Sequence, residues 1–520
     1  MLYSYVNKNT YIDSVSLMVL SSSVSAVDGI KNAAVMMGTE HNKDIMKQAG
    51  LFDGSEEAGT SDLIIGIEAE SEDAKNEALN VIDDLLNNSK KEDSEDTVQA
   101  KTLDSAYQQD PSSNIAVISV PGRYAKTEAM KALNKGMHVL LFSDNVSLEA
   151  ENELKEIAVE KGLLMMGPDC GTAIVNGVAL GFANVVRRGN IGIVAAAGTG
   201  LQETSVIIDK QGGGLSQGLG TGGRDIKSAI GGKMMLQEIE ALNEDEATDI
   251  IVLISKPPAE DVLKKIIEAT KEIKKPMVAC LLGAEKEILE GTNIHYAKTL
   301  EDAAVAAVDL AEGKSLETVR FTGEKEKLDS ILEKETNKLN STQKYVRGLF
   351  SGGTLCYEGM IVAQDEIGDI YSNVPLKSSW ELDDLEVSKE NTFIDMGEDY
   401  FTDGLPHPMI DTRLRSERIL REAKDPQVAV LLMDVVIGYG SHEDPAGSLL
   451  PAIQEAKEMA AQEGRYLSVV ASVCGTAQDP QGLKQQEQKL TEAGVIVMPS
   501  NAQAARMASS IALKEKNIQK

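Results

Sequence analysis

The stretch AAAGTGLQET at 195–204 has a counterpart, FSGGTLCYEG, at 350–359. Each comes after an apolar run and precedes a helical pattern. Each reads Gly-Thr-x-x-x-Glu: Gly198, Thr199 and Glu203, then Gly353, Thr354 and Glu358. A buried strand that turns on glycine straight into a helix belongs to an α/β layer, and two such corners call for two layers. The segments beyond each corner repeat as well. DIIVLIS pairs with VAVLLMDVV, MVACLLG with YLSVVASVCG, and NIHYA with GVIVMPS. Both repeats close on an Ala-rich helix, entered through the capping residue types Thr299 and Ser500. The expected fold class is therefore α/β and multidomain, with tandem flavodoxin-like domains at 189–315 and 345–515.

The rest of the chain is read the same way. NIAVISV, MHVLLFS and LLMMG alternate with helical patterns, which predicts a partial Rossmann-like domain over 112–188. Residues 1–100 predict a small α+β domain of ACT or ferredoxin type, with strands at SVSLMVL, NAAVMMG and DLIIGIEA. The polar run NNSKKEDSEDTVQ lacks a hydrophobic period and reads as a flexible linker. Residues 316–344 read as a charged, solvated helical linker, and QGGGLSQGLGTGGRD as a glycine-rich loop.

Composition removes several classes of function. With 51 Lys and Arg against 82 Asp and Glu, the formal charge is −31, which argues against nucleic acid or an anionic membrane as partner. No apolar run reaches the roughly 18–20 residues of a membrane span, and no signal peptide is visible. Cys170, Cys280, Cys356 and Cys474 are scattered without metal-ligand spacing. The expectation is no metal, reduced thiols and a cytoplasmic location.

The corners suggest chemistry. A helix N-terminus offers free N–H groups and a positive dipole end to an anion. Gly198, Thr199 and Gly200, with Gly352, Gly353 and Thr354, are the candidate phosphate- and substrate-binding residues, both tips aimed at one anion. Gly222, Gly223 and Arg224 in GTGGRDI, Arg413 in PHPMIDTRLRSER, and Asn176 with Thr172 near GPDCGT are further binding candidates. For acid–base work the candidates are His442 in GYGSHEDPAG, with Asp434 or Asp444 as partner, and His407, held between two prolines. Cys170 and Cys474 read as small buried hydrophobes.

From Asn114 to about Asn501 the chain resembles the NDP-forming acyl-CoA synthetases, the succinyl-CoA synthetase superfamily. NIAVISVPGRYAKTEAMKALNKGMHVLLFSDNVS and LLMMGPDCGT resemble the second half of that family's CoA-binding domain. GNIGIVAAAGTGLQET and GTLCYEG resemble the corner that opens its phosphate-binding helix. Over nearly the whole chain, segments such as GPDCGTAIVNGVALGFANVVRRG, PHPMIDTRLRSERIL and MPSNAQAAR are similar to FdrA-type proteins. The sequence departs from the synthetase pattern in three places. The segment GAEKEILEGTN lacks the family's phosphohistidine, the next histidine being His295 on a strand. No N-terminal βαβ unit completes a CoA-binding domain, and no ATP-grasp domain or Walker A motif is visible.

For FdrA-type proteins the resemblance implies a subunit of an oxamate carbamoyltransferase of allantoin breakdown. Phosphate or carbamoyl phosphate would be the ligand, CoA being supported only in part. Partner subunits, homo-oligomerisation and a small-molecule substrate go with that expectation. Two alternatives stand beside it: an acyl-CoA synthetase needing a separate ATP-grasp subunit, and a non-catalytic scaffold or regulatory subunit.

Overall fold

The structure is a computed structural model. It describes residues 2–518 apart from 9, 11, 13–16, 18, 19, 22, 25, 26, 28, 40, 41, 44, 45, 48, 53, 55, 56, 60, 61, 89–99, 101, 317–319, 403 and 404. The chain forms two compact units, residues 1–112 with 399–411, and residues 113–398 with 412–520.

In the first unit β1 (Leu2–Asn7), β2 (Ile30–Met37) and β3 (Leu63–Ala69) make an antiparallel sheet in the order β1-β3-β2. One face carries Val35, Ile65 and Ile67, packed with Leu20, Val24 and the Ala74, Ala78 and Ile82 stripe of helix Glu72–Asn88. The run SVSLMVL, expected as a strand, is helical at its described residues 17 and 20, and 21, 23 and 24 continue the helix. Leu17, Leu20 and Val24 recur at helical spacing, and that spacing prevails over β propensity. β1 was not expected from the sequence. Most of the linker expected at 87–99 lies outside the described residues.

The second unit opens with a parallel sheet of β4 (Ile115–Ile118), β5 (His138–Leu141) and β6 (Met165–Met166). Next comes a hairpin, β7 (Thr172–Val175) and β8 (Val178–Gly181), turning on Asn176 and Gly177 at φ 50° and 81°. Positive φ at both positions is what an Asn-Gly hairpin turn provides. Then β9 (Arg188–Ala195), β10 (Leu215–Gly220), β11 (Ile250–Ser255), β12 (Met277–Leu281) and β13 (Ile294–Tyr296) form a parallel sheet in the order β13-β12-β11-β9-β10. The second repeat has β14 (Tyr345–Phe350), β15 (Tyr371–Ser372), β16 (Thr392–Asp395), β17 (Val428–Val436), β18 (Ser468–Cys474) and β19 (Ile496–Met498), in the order β15-β16-β14-β17-β18-β19. With the short β15 set aside, each repeat runs 2-1-3-4-5, the flavodoxin order. All nine residues of β17 and all seven of β18 are buried, as strands covered on both faces require.

Three expectations need correction. The glycine-rich run at 211–225 contains strand β10. Its glycines serve close approach: a β-carbon on Gly220 would stand 2.5 Å from Cys170 Sγ and 2.6 Å from Thr172 O. The boundary expected at 188/189 cuts a sheet, because the β7–β8 hairpin pairs with β10 through Gly218 and Ile174. The segment 316–344 is not a solvated linker. Its helix Lys325–Thr336 buries Leu328 and Leu332, and the Glu335 carboxylate accepts hydrogen bonds from Tyr466 Oη and Ser468 Oγ.

Candidate functional site

Each corner lies where the chain leaves strand one of its sheet for a helix, at the switch point of a 2-1-3-4-5 order. Helix Gly198–Lys210 comes after β9, and helix Gly353–Ile367 after β14. The two tips meet. Thr354 N donates to Thr199 Oγ1 at 3.3 Å. A β-carbon on Gly200 would lie 3.0 Å from Thr354 Cγ2, and one on Gly352 would lie 3.0 Å from Thr199 Cγ2. Glycine at 200 and 352 therefore lets each tip rest on the other's threonine methyl. The contact does not seal the tips. Gly198 is exposed, and Thr199 and Gly353 are half-buried.

The motif glutamates have a different task. Glu203 Oε1 accepts from Asn501 N, the first residue of the closing helix of the second repeat (3.0 Å). Glu358 Oε1 accepts from Leu300 N, the first residue of the closing helix of the first repeat (2.7 Å). Each repeat thus caps the other's last helix, on top of the local caps from Thr299 and Ser500. Glu358 Oε2 also accepts from Asn501 Nδ2 at 2.8 Å. Burial and then the neighbouring Glu203 push the Glu358 carboxyl up to about 8, although the Asn501 bond pulls the other way. Burial lifts Glu301 to about 7.

Carboxylates also surround the second tip. Asp434, fully buried near the end of β17, accepts from Ser351 N (2.8 Å), Gly352 N (2.7 Å) and Ser351 Oγ (3.0 Å). Arg415, itself buried, bonds Asp434 Oδ1 at 3.0 Å and the backbone oxygens of Asp434 and Leu349. Asp395, at the end of β16, packs so closely on Gly353 that a β-carbon there would collide with its Oδ2. Burial, reinforced by Glu398, lifts Asp395 to about 7.

The other expected site residues are dispersed. Asp434 is not the partner of His442; it ties down the second corner, because a buried carboxylate must take whatever donors surround it. Asp444 caps helix Pro445–Gln462 through Gly447 N (3.1 Å) and also takes Gln486 and Lys489. His442 Nδ1 accepts from the backbone N–H of Asp444, so neither expected carboxylate orients that ring. His407 belongs to the first unit, and its Nδ1 accepts from Met409 N. Asn176 sits on the exposed hairpin turn, bonded to Gln217. Arg413 is the exposed first residue of helix Arg413–Glu422. Arg224 stands 2.8 Å from Glu151 and donates to Val146 O, linking the three-stranded domain to the first repeat. Gly222, at φ 79°, packs under the Gly167–Pro168 turn, whereas Gly223 is exposed, and a β-carbon on it would lie 3.7 Å from Ala196 O at the first corner. Thr172 lies at the first corner too, its Oγ1 3.3 Å from a β-carbon on Gly198. All four cysteines are buried, and burial pushes the Cys170 thiol up to about 12. His295 lies on β13 and is exposed.

Sequence reasoning missed Lys256. It comes directly after β11, whose Ile254 pairs with Ala195 of β9, so it stands beside the first corner. Its Nζ lies 4.7 Å from the ring centroid of Tyr357, in the second corner helix. A lysine directly after a buried parallel strand was the available signal.

These paired corners stand on two sheets of the same flavodoxin-like order. Residues 349–511 match the CoA-ligase family, and residues 1–102 match the heavy metal-associated domain of AllF. The uncharacterized protein YahF of Escherichia coli K12 is 46% identical over 514 residues, 98% of each chain. The chain belongs to the family of YahF. The succinate–CoA ligase [ADP-forming] alpha subunit of Aquifex aeolicus is 26% identical over 33% of this chain and 56% of its own length. This chain thus spans little more than half of that subunit. A solved ATP citrate lyase from Methanothrix soehngenii, in complex with citrate and coenzyme A, is 19% identical with a TM-score of 0.36, covering 44% of this chain and 45% of that one. Among the described residues no helix is long and apolar enough to cross a membrane.

Proposed function

We propose that this chain is the acyl-handling subunit of an enzyme of the acyl-CoA synthetase class, working with a separate nucleotide-binding ATP-grasp subunit. The supporting observation is the meeting of the Thr199 and Thr354 tips, still open to solvent at Gly198, in a chain similar to CoA ligases. Two helices begin there, at Gly198 and Gly353, and each brings the partial positive charge of its N-terminus to the meeting point, Thr354 N being already held by Thr199. The anion they suit is the phosphoryl end of an acyl phosphate. In the reaction, the thiol sulfur of CoA attacks the carbonyl carbon, the bond from that carbon to the bridging oxygen breaks, and phosphate leaves. The amides stabilise the departing charge.

A second reading takes carbamoyl phosphate as the acyl phosphate and a small amide or carboxylate as acceptor, as in an oxamate carbamoyltransferase. Its support is the likeness of segments such as PHPMIDTRLRSERIL to FdrA-type proteins. Segment 283–293 carries no histidine, and His295 is exposed on β13, so in either reading an intact acyl phosphate suits the site better than a phosphohistidine.

Labelled phosphate tests both readings. Incubated with the chain, CoA and succinyl phosphate, labelled phosphate is expected to enter the acyl phosphate without any nucleotide. Thr199→Val, which removes the hydroxyl that holds Thr354 N, is expected to slow this at least tenfold, the equivalent of about 1.4 kcal/mol. Exchange only with carbamoyl phosphate and oxamate selects the second reading. Exchange with neither, at millimolar substrate, overturns both.

A further inference from the structure

The proposed site lacks an assigned proton carrier, since His442 and His407 are bonded elsewhere and Asp434 is taken up by Ser351, Gly352 and Arg415. Two side chains at the second tip remain. Asp395 is 4% exposed. Its Oδ1 accepts from Gly397 N at 2.9 Å, and its Oδ2 is turned onto Gly353, the first residue of the corner helix, with no hydrogen-bond donor of its own among the described residues. A carboxylate oxygen with no donor among the described residues, turned to a helix N-terminus on a side chain that is almost wholly buried, stands where a ligand anion would come to rest.

Lys256 approaches from the first repeat. Half-buried, it forms no ion pair among the described residues, and its described contact is the Tyr357 ring, 4.7 Å away. Its charge reaches Asp395 and Cys356. Tyr357 in turn reaches back, its Oη 3.7 Å from a β-carbon on Gly283 after β12. An unpaired ammonium over an aromatic face is held in place without being neutralised, and so stays available to an anion.

We propose that Asp395 and Lys256 are the proton-holding and charge-balancing residues of the paired-tip site, receiving a phosphate-class anion together with one proton on Asp395. This rests on the function proposed above. In it, protonated Asp395 donates a hydrogen bond to an anion oxygen, and Lys256 supplies positive charge from the first repeat. The groups facing Asp395 are Glu398 and Asp434, which favour its proton, Lys256, which opposes it, and the buried Cys356 thiol. Burial places the carboxyl near neutrality, so the proton is available at physiological pH. Once that proton has passed to the departing phosphate, the carboxylate left behind can accept the proton of the attacking thiol or amine.

Sulfate tests this, because its own charge does not change between pH 6 and pH 9. Calorimetry in buffers of different ionisation enthalpy measures protons taken up on binding. The intact chain is expected to bind sulfate at least tenfold more tightly at pH 6 than at pH 9, with net proton uptake at the higher pH. Asp395→Asn is expected to abolish both the uptake and the pH dependence while still binding. Lys256→Met is expected to weaken binding about tenfold at both pH values, with Lys256→Arg restoring most of it; a tenfold change is about 1.4 kcal/mol. Binding that is unchanged in Asp395→Asn and Lys256→Met overturns the inference and leaves the proposed function standing. Absence of sulfate and phosphate binding by the unaltered chain at both pH values overturns the proposed function and the inference together.

Discussion

Asp434→Ala is expected to destabilise the second unit by about 3–5 kcal/mol, the range for removing one partner of a buried ion pair. The carboxylate is fully buried and holds two backbone amides, a hydroxyl and Arg415 at once. Its loss leaves the Arg415 guanidinium inside the protein with the backbone oxygens of Leu349 and Asp434 as its acceptors among the described residues. Burial already pulls the Arg415 pKa below its ordinary value. Ser351 and Gly352 lose their acceptor at the point where the second corner turns. Asp434→Asn, which keeps the volume but not the charge, is expected to recover a minority of the loss. Urea unfolding monitored by far-UV circular dichroism is the measurement. A change below 1 kcal/mol, together with lost exchange activity, would return Asp434 to the acid–base role that its residue type suggests.

The second large effect concerns pH. Glu358 is fully buried and titrates at about 8 in the folded chain, against an ordinary value of 4.5. A carboxyl whose folded pKa is raised contributes stability that is complete below its unfolded pKa and is lost as pH rises through the folded one. Glu301 and Asp395, both at about 7, act with the same sign. Stability is therefore expected to fall between about pH 5 and pH 9, where surface carboxylates no longer change. Glu358→Gln removes one titration, and the difference in slope between variant and parent isolates it. A tenfold difference in proton affinity between the folded and unfolded chain is worth about 1.4 kcal/mol. Glutamine can still accept from Leu300 N, and the unpartnered Oδ1 of Asn501 offers an acceptor for its amide. Denaturation midpoints at pH 5.5 and 8.5 are the readout; equal slopes in parent and variant would show that Glu358 ionises freely.

Much of the fold is legible because a buried parallel strand leaves a plain record: five to nine apolar residues, then a turn, then a helix. VAVLLMDVV and DIIVLIS announce β17 and β11, and the duplicated corners announce the two-repeat plan. β10 is hidden because it runs beside a hairpin that leaves no room for β-carbons, so its sequence looks like a loop. The hairpin itself is written in Asn176-Gly177, a pair that serves the turn and not a ligand. The site is less legible. Histidines and arginines draw attention by residue type, yet position decides their use. Arg415 and Asp434 are spent on holding a turn, while Lys256 stands beside the corner after a strand that looks merely apolar. The Glu203 and Glu358 exchange cannot be read from sequence at all, since it depends on two repeats facing each other.

That exchange has a mechanical consequence. Neither repeat can swing away from the other without breaking two glutamate-to-amide bonds that lie side by side at Asn501. The shared face is an anvil and not a jaw. In the function proposed above, whatever moves must therefore arrive from outside it, on a separate subunit or as a diffusing carrier molecule.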